Sequence, residues 1–186
     1  MSANSHDKEQ NRSKTAVKDL VFTAMFAALI AVCSILSIPI GEVPITLQTF
    51  AVCLAAAMLG WKRGTLSVFI YVLLGAVGVP VFAGMSGGVG ILAGPTGGYI
   101  IGFIPCALII GLAADKWQRK ALPLTLSMIL GVLVCYAIGT IWFMIVTGMH
   151  IGESLMLCVV PFLIPDGVKI ALAMILANRL SKIVAL

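Results

Sequence analysis

The chain has 186 residues, 61% of them apolar and 10% charged, with a formal net charge of +5. Soluble domains are about half apolar and about a quarter charged. A mean hydropathy of +1.13, with no Asp, Glu, Lys, Arg or His between Arg63 and Asp115, excludes a soluble globular protein and points to one membrane-embedded domain.

The opening stretch, MSANSHDKEQNRSKTAVKD, lacks the apolar run and small-residue cleavage site of a signal peptide. Residues 1–16 read as a polar cytoplasmic tail, and 17–186 as the membrane domain. A first helix over about 17–37 stops before Pro39. The loop PIGEVPIT leads to a second helix at about 46–60, closed by Gly60, and WKRG turns into a third at about 64–78. Residues 79–97 are rich in glycine and contain Pro80 and Pro95, so they do not form a regular helix. A fourth helix spans about 98–114, a fifth about 122–147, and residues 153–163 suit a short helix. The sixth runs over about 165–181, beginning at Pro165.

The fold expected is an all-α integral membrane protein of six transmembrane helices. The second and third helices are short, roughly 22 Å at 1.5 Å per residue, against ~30 Å of hydrocarbon. Loops must supply the missing length, and irregular backbone at that depth survives only when buried in protein or lining a cavity.

Charge sets the orientation. Lys8, Arg12, Lys14, Lys18, Lys62, Arg63, Lys116, Arg119, Lys120, Arg179 and Lys182 all fall on one side of six spans. The positive-inside rule makes that side cytoplasmic, with both termini inside. The net charge follows from this bias and does not indicate nucleic acid as a partner.

Lys169 breaks the pattern. It lies near the outer end of the sixth helix, three positions after Asp166, so the two share a helix face. With Pro165 in the first turn, Asp166 would stand at the positive end of the helix dipole. Charges at such depth cost roughly 2.5–3.5 kcal/mol each on insertion scales and tend to be functional. Two readings are open: a salt bridge that locks the helix to a neighbour, or a pair that contacts a ligand. Other groups on the outer side are Glu42, Thr46, Gln48 and Thr49 of the first loop, and Ser86, Gly87 and Thr96 of the glycine-rich loop. Tyr99 and Tyr136 come from the fourth and fifth helices. A few polar groups in an apolar cavity is the anatomy of a small-molecule site.

The loop AGMSGGVGILAGPTGG lacks the Lys-Ser/Thr of a nucleotide-binding loop, so the chain is no ATPase. The five cysteines are scattered through apolar segments without metal-ligand clustering and read as small buried side chains.

VPITLQT at 43–49, GVPVFAG at 78–84, GPTGGY at 94–99 and PDGVK at 165–169 together resemble the BioY family. These are the biotin-binding membrane subunits, or S components, of energy-coupling-factor (ECF) transporters. The resemblance covers about 17–183 and implies a plasma-membrane protein, not an enzyme, that captures biotin outside and delivers it inward. Biotin is then the transported ligand, with no cofactor and no metal. Asp166 would accept from a ureido N–H, and Lys169 would serve the ureido oxygen or the carboxylate. The resemblance also implies a transmembrane coupling protein and ATPase subunits as partners. Ala24 and Ala28, four apart in TAMFAALIA, form a small-residue row that permits close helix approach. By itself that row suits internal packing, as does the neighbouring pair Ala27 and Ala31; the resemblance implies a docking face. The alternatives are an S component for another vitamin, or a membrane enzyme using Asp166 or Lys169.

Overall fold

The computed structural model describes residues 3–39 and 42–183. The extreme ends assigned above to the cytoplasm, and the side chains of Lys8, Arg12, Lys14 and Lys182, lie outside the described residues.

The elements in order are α1 (Ala3–Ile35), a hairpin of β1 (Ser37–Ile38) and β2 (Ile45–Thr46), and α2 (Gln48–Ala76). A short 3-10 turn (Ala83–Met85) and α3 (Val89–Ala93) follow, then α4 (Gly97–Lys116), α5 (Ala121–Thr147), α6 (Ile151–Cys158) and α7 (Val160–Ile183). Five segments among the described residues are long and apolar enough to cross a membrane. One of them, α2, consists of two helices joined at a kink.

Within α2 the helix breaks at Gly60, whose φ of 76° and ψ of −175° are not helical. Gln48 and Tyr71 are 23 residues apart yet hydrogen-bond at 3.0 Å. In a straight helix they would be roughly 35 Å apart at 1.5 Å per residue. The chain therefore folds back at Gly60, and 48–59 and 61–76 form antiparallel arms corresponding to the expected second and third helices. A single glycine makes the reversal, where a four-residue WKRG turn was expected. Glycine suits the position because φ is +76° and a Cβ would have to displace the carboxylate of Asp115.

Polar groups of the last turn of α4 and of the α4–α5 connection clamp this reversal. Arg119 donates from Nε to the Ala57 carbonyl at 3.1 Å and from Nη2 to the Met58 carbonyl at 2.8 Å. These belong to the last turn of the first arm, where carbonyls lack helical partners. Asp115 accepts from the Trp61 N–H at 3.1 Å, at the start of the second arm. Each charge sits at the dipole end it complements. Arg63 and Asp19 pair nearby at 2.8 Å, so Asp19, Arg63, Asp115 and Arg119 share one end of the bundle. Replacing Arg119 by Ala is expected to cost about 1.5 kcal/mol. That would lower the detergent-solubilised protein's thermal midpoint by roughly 3–6 °C. Lys at 119 should recover only part of this, lacking the planar fork.

Three further expectations need correction. The first helix begins at Ala3, well before position 17, so the described part of the polar tail continues α1 as helix. The first loop contains a two-pair antiparallel ladder, Ser37 with Thr46 and Ile38 with Ile45, where plain loop was expected. The last helix starts at Val160, not Pro165. Pro161 occupies its first turn, where a missing N–H costs nothing, and α6 ends just before it. Asp166 is consequently in the second turn rather than at the dipole end.

Candidate functional site

At the end of the bundle away from Arg119, the first loop, the 77–96 loop and α2, α4, α5, α6 and α7 enclose a cavity of about 190 Å³. One water needs only ~10–15 Å³, so the space suits a small organic molecule. Phe82, Ile100, Phe103, Val132 and Phe162 supply apolar wall.

Asp166 and Lys169 both line the cavity and are buried at 3% and 6% exposure. Lys169 Nζ donates to Asp166 Oδ1 at 2.7 Å, and Tyr136 donates its hydroxyl to Oδ2 at 2.6 Å. The ion pair lies within one helix, so it does not join α7 to a neighbour; the Tyr136 hydroxyl does, from α5. The lysine's structural part is therefore to compensate the buried carboxylate, not to join helices. Of its three N–H donors one is spent on Asp166, and each carboxylate oxygen retains a lone pair. The Tyr136 hydroxyl can still accept. These are matched donors and acceptors facing an apolar chamber.

Gln48, which opens α2, also lines the cavity. Its backbone N–H donates to Thr46 Oγ1 at 3.2 Å, leaving the Thr46 hydroxyl proton available. Tyr99 shares a hydrogen bond with Thr140 at 3.0 Å. The Ser86 hydroxyl donates to the Ala83 carbonyl at 2.8 Å, tightening the glycine-rich loop. Phe82 N–H donates to the Ser86 carbonyl at 2.9 Å, and Gly88 N–H to the Gly75 carbonyl at 2.6 Å. Trp142 Nε1–H donates to the Gly94 carbonyl at 3.0 Å, holding the loop's far end to α5. The 77–96 segment is therefore a fixed wall that includes one short α-helix, Val89–Ala93, and no regular helix along its length.

Eight of the nine sequence-chosen ligand-site residues line the cavity: Thr46, Gln48, Ser86, Thr96, Tyr99, Tyr136, Asp166 and Lys169. Gly87 does not, because its backbone packs on the Val79 carbonyl so closely that a Cβ would sit 2.5 Å from it. Glu42 is exposed and also outside the lining. Cys135 and Cys158 face the cavity, although their spacing reads only as buried apolar side chain. Their α-helical positions bring them to the wall, and nothing local in the sequence signals it. All five cysteines are buried and free.

Residues 6–186 match the model of the BioY family. The chain belongs to the BioY family. The biotin transporter BioY of Thermotoga maritima is 45% identical over 168 residues, covering 90% of this chain and 98% of that protein. The biotin transporter BioY2 of Lactococcus lactis is 37% identical over 161 residues, covering 87% and 88% respectively. A crystal structure of the S component for biotin from an ECF-type ABC transporter superposes with a TM-score of 0.85 at 32% identity. It covers 91% of this chain and 93% of that one. With five apolar candidate spans, this family member is a multi-pass plasma-membrane protein.

Proposed function

We infer that this chain is the biotin-binding S component of an ECF-type transporter, a transport subunit rather than an enzyme. The observation that supports this best is the buried Tyr136–Asp166–Lys169 cluster facing an apolar cavity. Biotin's ureido ring has two N–H donors and one carbonyl acceptor. Asp166 supplies an acceptor for an N–H, Lys169 has two donors left for a ligand oxygen, and the bicyclic ring and valeryl chain suit the phenylalanine walls. The first turns of α2 and α4 border the cavity, and neither Leu47 nor Thr96 supplies a side-chain cap. Their partial positive charge favours an anionic group such as the valeryl carboxylate. Thr46, Gln48, Ser86, Thr96 and Tyr99 complete the proposed site.

The cavity is proposed to face outward and the Arg119 end the cytoplasm, following the basic residues. Coupling protein and ATPase subunits are proposed as partners. In α1, Ala24 and Ala28 are exposed while Ala27 is buried and Ala31 packs on the core. That division supports an outward docking row and an inward packing row.

Equilibrium binding of a panel of water-soluble vitamins to the purified protein tests the assignment. Biotin should bind at least about 100-fold tighter than any other, a gap of roughly 2.7 kcal/mol. Preference for a different vitamin would overturn the ligand and leave the fold untouched.

A further inference from the structure

Two fully buried hydroxyls, Ser34 and Tyr71, lie outside the cavity lining yet engage one of its members. Ser34 Oγ donates to Gln48 Oε1 at 3.2 Å. Gln48 Nε2 donates to the Tyr71 hydroxyl at 3.0 Å. The Tyr71 and Ser34 oxygens are 2.9 Å apart. Since the Ser34 proton is spent on the amide oxygen, the Tyr71 hydroxyl donates to Ser34, and the three groups form a closed ring. The ring draws on α1, the start of α2 and the returning arm of α2. Isolated buried hydroxyls would cost about 1–3 kcal/mol apiece; closing on one another removes that cost.

We propose that Ser34 and Tyr71 are positioning residues for ligand binding, holding the Gln48 amide in one place at the cavity wall. Gripped at both ends, the amide keeps one N–H and one carbonyl lone pair for the ligand. A glutamine side chain otherwise loses much rotational freedom when it engages a ligand, and an amide held beforehand avoids most of that loss. The Tyr71 ring has a separate task. It meets Phe82 edge-on, with centroids 5.6 Å apart at 76°, and Phe82 fits over Gly75, where any Cβ would collide with its ring. The hydroxyl can thus be removed while the aromatic packing of the wall is kept.

This inference rests on the reading of the cavity as the biotin site. The test is a double-mutant cycle on purified full-length protein, read as biotin affinity, with thermal midpoints measured alongside. Tyr71→Phe and Ser34→Ala should each weaken biotin binding about 2- to 12-fold, the worth of one neutral hydrogen bond. Gln48→Met should weaken it at least as much. In the Gln48→Met background, adding Tyr71→Phe or Ser34→Ala should change affinity less than about 2-fold, although the thermal midpoint still falls. A merely structural role would give the same loss of affinity in both backgrounds and would overturn the proposal. So would unchanged affinity in both Tyr71→Phe and Ser34→Ala, or in Gln48→Met. Should one ring variant fail to fold, the other decides the outcome. Wild-type protein that binds no biotin would instead overturn the cavity assignment itself.

Discussion

Replacing Asp166 by Asn should lower biotin affinity roughly 10- to 150-fold, the range of a charge-assisted hydrogen bond worth about 1.5–3 kcal/mol. The carboxylate accepts from both Tyr136 and Lys169, whereas an amide offers one oxygen and an NH₂ group. Either the tyrosine or the ammonium would then face a donor instead of an acceptor. Lys169→Met should do comparable damage to binding and more to stability, since a buried carboxylate without its cation costs about 3–5 kcal/mol. The Asp166→Asn/Lys169→Met double variant should regain much of that stability, because the uncompensated charge is gone, and regain no affinity. Isothermal titration and thermal unfolding on the same preparations separate the two effects. If all three variants bound biotin like wild type, the cluster would be a structural ion pair and the ligand-site assignment would fail.

Introducing Trp at Ala24 or Ala28 should reduce biotin uptake by cells at least about tenfold while the isolated protein binds biotin as before. Both alanines are exposed on α1, and no α1 residue lines the cavity. Close helix approach through small residues tolerates no indole, and a loss of 1.4 kcal/mol of docking is already tenfold. Leu126→Trp on α5, also an exposed position, is the control and should leave uptake intact. Co-purification of the coupling protein with each variant gives the second readout. Normal complex formation and full uptake in both alanine variants would make the row a lipid-facing surface and nothing more.

Much of the outline was legible before any coordinates. Apolar segments, glycine breaks and one-sided cations are local properties, and they are enough to place the helices of a membrane protein. With water absent, backbone groups must satisfy themselves within each span. Asp166 and Lys169 stood out for a similar reason: few ionisable groups are tolerated there, so two of them three residues apart are conspicuous. The loop motifs pointed to the family.

Tertiary structure decided which of those groups meet. Tyr136 was picked from its helix, but only packing of α5 on α7 brings its hydroxyl to Asp166. Ser34 and Tyr71 look like ordinary helical residues, and only the reversal at Gly60 carries Tyr71 back beside Gln48. Gly87 was expected in the cavity because glycines admit ligands, yet the loop's own hydrogen bonding turns it onto Val79. Cys135 and Cys158 reach the wall through helix rotation that no local pattern encodes. Sequence alone determined the membrane class, the apolar segments and the charged pair, because desolvation acts on each segment separately. The cavity and its hydrogen-bond partners depended on helices meeting across tens of residues, since partners are chosen by packing between segments.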